Sequence, residues 1–272
     1  MSRDSLRRTL NAVYTIWYRD VVSLIRDRSR LIGTLVANLF ILFGFGFGMG
    51  GALGKIGGGG GLLGVTYSQF LFPMILCSIA MMTALPSTMS IVYDREFGFM
   101  KRILVAPISR ISVVLGKVLG GVSVALVQVA VFMLAGPFLG VSYTLGTATL
   151  AVAILILVSA VVTAIGIVVA ARQRTQQGFQ VISMFVVMPL MLLTFGAGLP
   201  SIAVGSGMLS KVIRMAEWIN PIAYGMDALR QVMLGTVSSS LAMLSAGLDV
   251  AVMFVCFAGL MVAGVALFSK QD

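Results

Sequence analysis

The chain has 272 residues, 59% of them hydrophobic and 10% charged, with a net charge of +10 and a mean hydropathy of +1.05. Soluble domains carry about 25% charged residues, so the composition excludes one and indicates an all-α integral membrane protein, read as a single transmembrane domain over residues 1–272. The positive charge does not point to nucleic acid, because the basic residues stand beside apolar runs and not on a folded polar face. No histidine is present, which removes the commonest general base and metal ligand. The two cysteines, Cys77 and Cys256, both fall in apolar runs and imply no disulfide framework.

From the N-terminus, residues 5–28 place Leu6, Leu10, Val13, Trp17, Val21, Leu24 and Ile25 at helical spacing, with Arg8, Asn11, Thr15, Arg19 and Arg26 on other faces. This predicts an amphipathic interfacial helix within residues 1–30, with Trp17 at headgroup depth and arginines toward anionic lipid. A basic flank that only sets topology remains the plainer alternative. The stretch lacks a short apolar core and a small-residue cleavage site, so no cleavable signal peptide is expected. The first span is expected at 31–53, where Asn38 should face protein and glycines alternate with bulky residues toward the end. Gly57 to Gly61 reads as a flexible linker. Neither Gly54-Lys55 nor Gly116-Lys117 has the glycine spacing and Ser/Thr of a phosphate loop, so no ATP site is expected on this chain.

The second span is expected at 66–92, with Pro73 and Pro86 as kink points. Its Ser78, Thr83, Ser87 and Ser90 either line a path or bond back to their own helix. Next comes Tyr93 to Arg110, which holds Asp94, Arg95, Glu96, Lys101, Arg102 and Arg110, with Lys117 just beyond. Charge costs about 2.5–3.5 kcal/mol per residue at mid-bilayer, so this segment must lie outside the hydrocarbon. Phe97, Met100, Ile103 and Leu104 share a helical face, and Pro107 ends the turn. The pattern predicts a short helix over 94–107, opened by the acidic pair Asp94 and Glu96 with Lys101 and Arg102 toward its end, as the helix dipole favours.

Further spans are expected at 112–136, 146–171, 179–199 and 248–268. A basic turn with Arg172 and Arg174 separates the fourth from the fifth, which Pro189 interrupts. Residues 200–235 are too polar for a simple span and break at Asn220-Pro221, predicting two short re-entrant helices before span six. Six spans put both termini on one side. Placing them in the cytoplasm leaves only Lys55, Lys211, Arg214 and Arg230 of the 19 lysines and arginines outside, as the positive-inside rule prefers. The polar residues Asn38, Ser183 and Thr194 are candidates for lining a path, with ordinary packing as the alternative for each.

Y-D-R-E-F-G-F-M-K-R-I-L-V-A-P-I-S-R resembles the cytoplasmic signature of ABC-2 type permeases, the membrane subunits of a class of ABC exporters. W-I-N-P-I-A-Y-G-M-D-A-L-R, at Trp218 to Arg230, is similar to that family's element before the last span. The resemblance implies that Arg95, Glu96 and Gly98 open a coupling helix seating in an ATPase subunit, with Asp94, Lys101, Arg102 and Pro107 in the same site. It likewise implies an external motif of Asn220, Pro221, Tyr224, Asp227 and Arg230. By the same resemblance two permeases pair, alike or unlike, with a substrate path between them, and ATP and Mg reside on the partner ATPase.

The expected function is therefore a cell-membrane permease subunit, not itself an enzyme, exporting an amphipathic or apolar molecule such as a drug-like compound, lipid or glycoconjugate. An importer permease fits poorly: the glycine follows Glu96 by two residues and no Ala-Ala is present. An ion-coupled transporter or channel without an ATPase is the alternative, and it lacks charges at mid-depth in the expected spans. A membrane enzyme lacks any acid/base or metal constellation.

Overall fold

A computed structural model describes residues 3–26, 28–43, 67–97, 110–139, 141–197, 208–235 and 242–269, and among them every regular element is helical. The helices are α1 (Arg3–Arg26), α2 (Arg28–Phe43), α3 (Tyr67–Ser87), α4 (Met89–Glu96), α5 (Arg110–Ala135), α6 (Leu145–Arg172), α7 (Gln176–Ala197), α8 (Met208–Ile219), α9 (Pro221–Leu234) and α10 (Ala246–Ser269). A 3-10 turn, Gly136–Leu139, follows α5.

Five stretches are long and apolar enough to cross a membrane: Gln69–Glu96, Ile111–Ala135, Leu145–Arg172, Gln176–Thr194 and Ala246–Leu267. Of the expected first span only residues 31–43 are described, as part of α2, and its remainder lies outside the described residues. The count among the described residues is thus five.

α6 is the axis of the bundle, packed against α3, α5, α9 and α10 and touching α4 and α7. It is apolar on every face, as a helix surrounded by protein and lipid must be. Phe72, Leu76 and Ile79 of α3, Phe132 of α5, Leu155 and Ile167 of α6 and Ile222 of α9 lie together in the fully buried core. α3–α4 is the most enclosed span, 78% buried, whereas α7 and α10 are 22% and 11% buried and keep broad apolar faces outward. Those faces carry Phe185, Met188 and Leu192 on α7 and Phe254, Val255 and Val262 on α10.

One expectation is corrected. The helical break falls at Thr88, two residues after Pro86, where the Thr88 hydroxyl and amide both donate to the Leu85 carbonyl. The chain then continues in α4 to Glu96, so Asp94 and Glu96 end a helix instead of opening one. Any helix over 98–107 falls outside the described residues. Trp17 is half-buried, and its indole N–H donates to the Ser123 hydroxyl on α5 at 2.9 Å. Leu10 is 59% exposed beside the exposed Tyr14 and Tyr18, while Ile16 and Asp20 face α5. The hydroxyls of Ser78, Thr83, Ser87 and Ser90 bond back to carbonyls of Ile75, Ile79, Ala84 and Ser87, the second of the two expected alternatives.

α9 enters the bundle because Gly225 has no side chain. A Cβ there would stand 2.5 Å from Val158 on α6 and 2.9 Å from the Met253 sulfur on α10. Replacing Gly225 with Val should therefore overpack the α6–α9–α10 junction and cost about 1–3 kcal/mol or more. Gly259→Ala, at a position with open space around it, should be neutral or slightly stabilising. Thermal unfolding of the detergent-solubilised protein would compare the two.

Candidate functional site

Polar side chains gather at the two ends of the apolar bundle. At one end, α1 lies across α5 because a buried cation needs a partner there. Lys117, on the second turn of α5, is 2% exposed. Its ammonium reaches the two Asp20 carboxylate oxygens at 2.8 and 3.0 Å and the Ser90 hydroxyl at 2.6 Å. Three donors meet three acceptors, so the charge is both paired and hydrogen-bonded. The approach is close: a Cβ on Gly120 would stand 2.7 Å from Asp20. Beside it Arg19 bonds Asp94 at 2.7 Å, which ties α1 to the end of α4.

The next two residues of α4 turn to the connection between α6 and α7. The Arg95 guanidinium donates to the carbonyls of Ala171 at 3.0 Å and Gln173 at 2.8 Å, with Ala170 at 3.5 Å. These carbonyls belong to the last turn of α6 and its cap residue, where the helix presents its negative dipole end. Glu96 accepts from the amide of Gln176, the first residue of α7, at 3.1 Å. There a carboxylate meets the positive end of a helix. Arg172 and Arg174 remain exposed on the same turn. Of the residues expected in this site, Asp94, Arg95 and Glu96 thus come together, while Gly98, Lys101, Arg102 and Pro107 lie outside the described residues.

At the opposite end, α8 and α9 meet at Asn220-Pro221. Asn220 caps α9 by accepting from the Ile222 amide at 3.0 Å, and Pro221 occupies the first helical turn, where its missing N–H costs nothing. The Asn220 amide donates across to α7, to the Leu190 carbonyl at 2.9 Å and the Thr194 hydroxyl at 3.0 Å. Tyr224 closes the break by donating to the Trp218 carbonyl at 2.7 Å. Asp227 and Arg230, each 1% exposed, pair at 2.7 Å. Asp227 also accepts from the Gln231 side chain and the Met243 amide, and Gln231 reaches on to Asp249 at the start of α10. Asn220, Tyr224, Asp227 and Arg230 therefore all have structural partners, and Pro221 starts the helix between them.

The expected path residues do not form one group. Thr194 is engaged by Asn220 and by its own helix at Leu190. Ser183, on the same helix and roughly 16 Å away along it, is buried. Asn38 is buried on α2. Sequence reasoning missed the Asp20–Lys117 pair. The available signal was Lys117 itself, seven residues inside an apolar helix, where a lone cation is untenable. Asp20, one of only 9 acidic residues in the chain and one turn from Ile16 and Trp17, was the partner to look for.

A family model described as ABC-2 type transporter matches residues 11–234, a stretch containing both polar ends except Met243 and Asp249. The chain is 27% identical over 181 residues to "Putative transport permease ycf38" of Porphyra purpurea, covering 64% of this chain and 58% of that protein. Shorter matches bear the same name: 41% over 76 residues in Cyanophora paradoxa, 28% of this chain and 26% of that protein, and 34% over 79 residues in Pyropia yezoensis, 29% and 27%. The matched part spans less than two thirds of each of these relatives.

Removing the Lys117 amine should leave Asp20 buried without its cation. Lys117→Ala is expected to cost about 3–5 kcal/mol, and Lys117→Ala with Asp20→Ala to recover a large part of that loss. A double-mutant cycle by chemical unfolding in detergent checks it; strictly additive losses would mean the two side chains act independently.

Proposed function

The chain belongs to the ABC-2 type transporter family, a multi-pass membrane transport component, and from that premise we propose that it is the permease subunit of an ABC exporter. A separate ATPase supplies the energy and carries the ATP and Mg. Two permease copies, identical or unlike, form the path between them. The cargo is a small amphipathic or apolar molecule, drug-like, lipid or glycoconjugate, in keeping with outward faces and spans that carry few charges.

One observation carries the coupling part of this reading. The end of α4, from which the segment 98–109 departs, is built into a polar cluster that joins α1, α4, α5 and the α6–α7 turn. A load applied there reaches four elements at once. The coupling site is Asp94, Arg95, Glu96, Gly98, Lys101, Arg102 and Pro107, on the segment read in sequence as a coupling helix over 94–107, whose first three residues close α4. The opposite end, with Asn220, Pro221, Tyr224, Asp227 and Arg230, forms the external re-entrant region over 200–235. Both termini are cytoplasmic, six spans cross the cell membrane, and Asn38, Ser183 and Thr194 stand nearest to the path.

Two measurements test this. A cysteine in the Gly57–Gly61 stretch should react with an impermeant reagent added to intact cells, and one at Gln176 should not; the reverse pattern would overturn the orientation. Gly98→Leu should leave the protein inserted and paired, yet weaken ATPase docking by more than about tenfold, with transport and substrate-stimulated ATP hydrolysis falling together. Wild-type transport with full coupling in that variant would sink the docking role of the segment.

A further inference from the structure

Arg95 and Glu96 are adjacent in sequence, opposite in charge, and committed to opposite dipole ends of two consecutive helices. Arg95 holds the carboxyl end of α6 through Ala171 and Gln173, and Glu96 holds the amino end of α7 through Gln176. The connection they grip is short. α6 ends at Arg172, Gln173 is extended, and α7 begins at Gln176. Both side chains are thus engaged by backbone groups of their own chain. The three carbonyls around one guanidinium and the charge at each helix end make this a specific grip.

We propose that Arg95 and Glu96 are positioning residues, which clamp the α6–α7 turn to the end of α4. Displacement of the coupling segment is thereby delivered to α6 and α7 as one unit. α6 is the axis of the bundle and α7 one of its outward helices, so the clamp links the cytoplasmic segment both to the core and to a face open to a second copy. The source of that displacement rests on the ATPase-driven reading above; the clamp itself does not. Arg174, exposed on the gripped turn, makes no contribution to the grip, and its positive charge opposes that of Arg95.

Hydrogen–deuterium exchange on the purified full-length permease in lipid nanodiscs, without any ATPase, reads the clamp directly in peptides covering 173–180. Glu96→Ala and Arg95→Ala should each raise exchange at the start of α7 by about tenfold. Glu96→Gln and Arg95→Lys, which keep an acceptor and a cation, should restore part of the protection, and Arg174→Gln should leave it unchanged. In the complex with its ATPase, substrate-stimulated hydrolysis should fall in the order in which exchange rises. Unchanged exchange in both alanine variants overturns the clamp, and if hydrolysis is nonetheless uncoupled the two side chains belong to the partner contact. Raised exchange with intact coupling overturns the transmitting role. A wild-type chain that stimulates no ATPase contradicts the exporter reading, and is told apart because the exchange arm contains the permease alone.

Discussion

A charge inside an apolar bundle must be paired where it stands, and that requirement shapes both ends of this molecule. Lys117 and Asp20 meet beneath α1, and Arg230 and Asp227 meet within α9, each pair with additional hydrogen-bond partners. Desolvating two charges costs several kcal/mol per ion even after relaxation. Such pairs therefore add little stability relative to apolar replacements, while breaking one leaves an uncompensated ion. Their effect is on specificity of arrangement. α1 cannot slide along α5 without stranding Lys117, and α9 cannot leave the bundle without exposing the Asp227–Arg230 pair and parting Asp227 from the Met243 amide.

The same economy governs the helix ends. A helix in a membrane satisfies its own backbone except in its first and last turns, and here the orphan groups are met by side chains from other helices. Arg95 serves the end of α6, Glu96 the start of α7, and Asn220 caps its own helix while also reaching the Leu190 carbonyl within α7. These contacts fix helices against one another without burying an additional unpaired charge. The apolar middles of the helices are fixed by shape alone, as where Gly225 admits Val158 and Met253.

Hydropathy and punctuation were enough to place the long helices, since five apolar runs bounded by Gly, Pro and charge can be little else in a membrane. The Asn220-Pro221 break was equally legible, because both residues have fixed roles at a helix start. What the sequence did not disclose was direction. The acidic pair at 94 and 96 looked like a helix opening by dipole logic, yet the true opening is Met89, set by a threonine turn after Pro86. The dipole rule was obeyed elsewhere: Glu96 satisfies the start of α7 and not that of its own helix. Nor could periodicity tell which apolar stripe of α1 faces protein, since Leu10, Tyr14 and Tyr18 compete with Val13, Ile16 and Trp17 for that role. The buried Lys117 decides between them by placing Asp20 inward.

These two kinds of contact differ in how they respond to load. A buried ion pair such as Lys117–Asp20 resists separation steeply, because either charge left alone in low dielectric is strongly disfavoured. A helix-end contact such as Glu96 to the Gln176 amide lies at an exposed position, where water replaces a lost partner at a net cost of only about 0.5–1.5 kcal/mol. The cluster at the end of α4 contains both, with α1 and α5 locked by the first and the α6–α7 turn held by the second. On these energies the Lys117–Asp20 pair holds α1 and α5 together more firmly than the single Glu96 contact holds the start of α7.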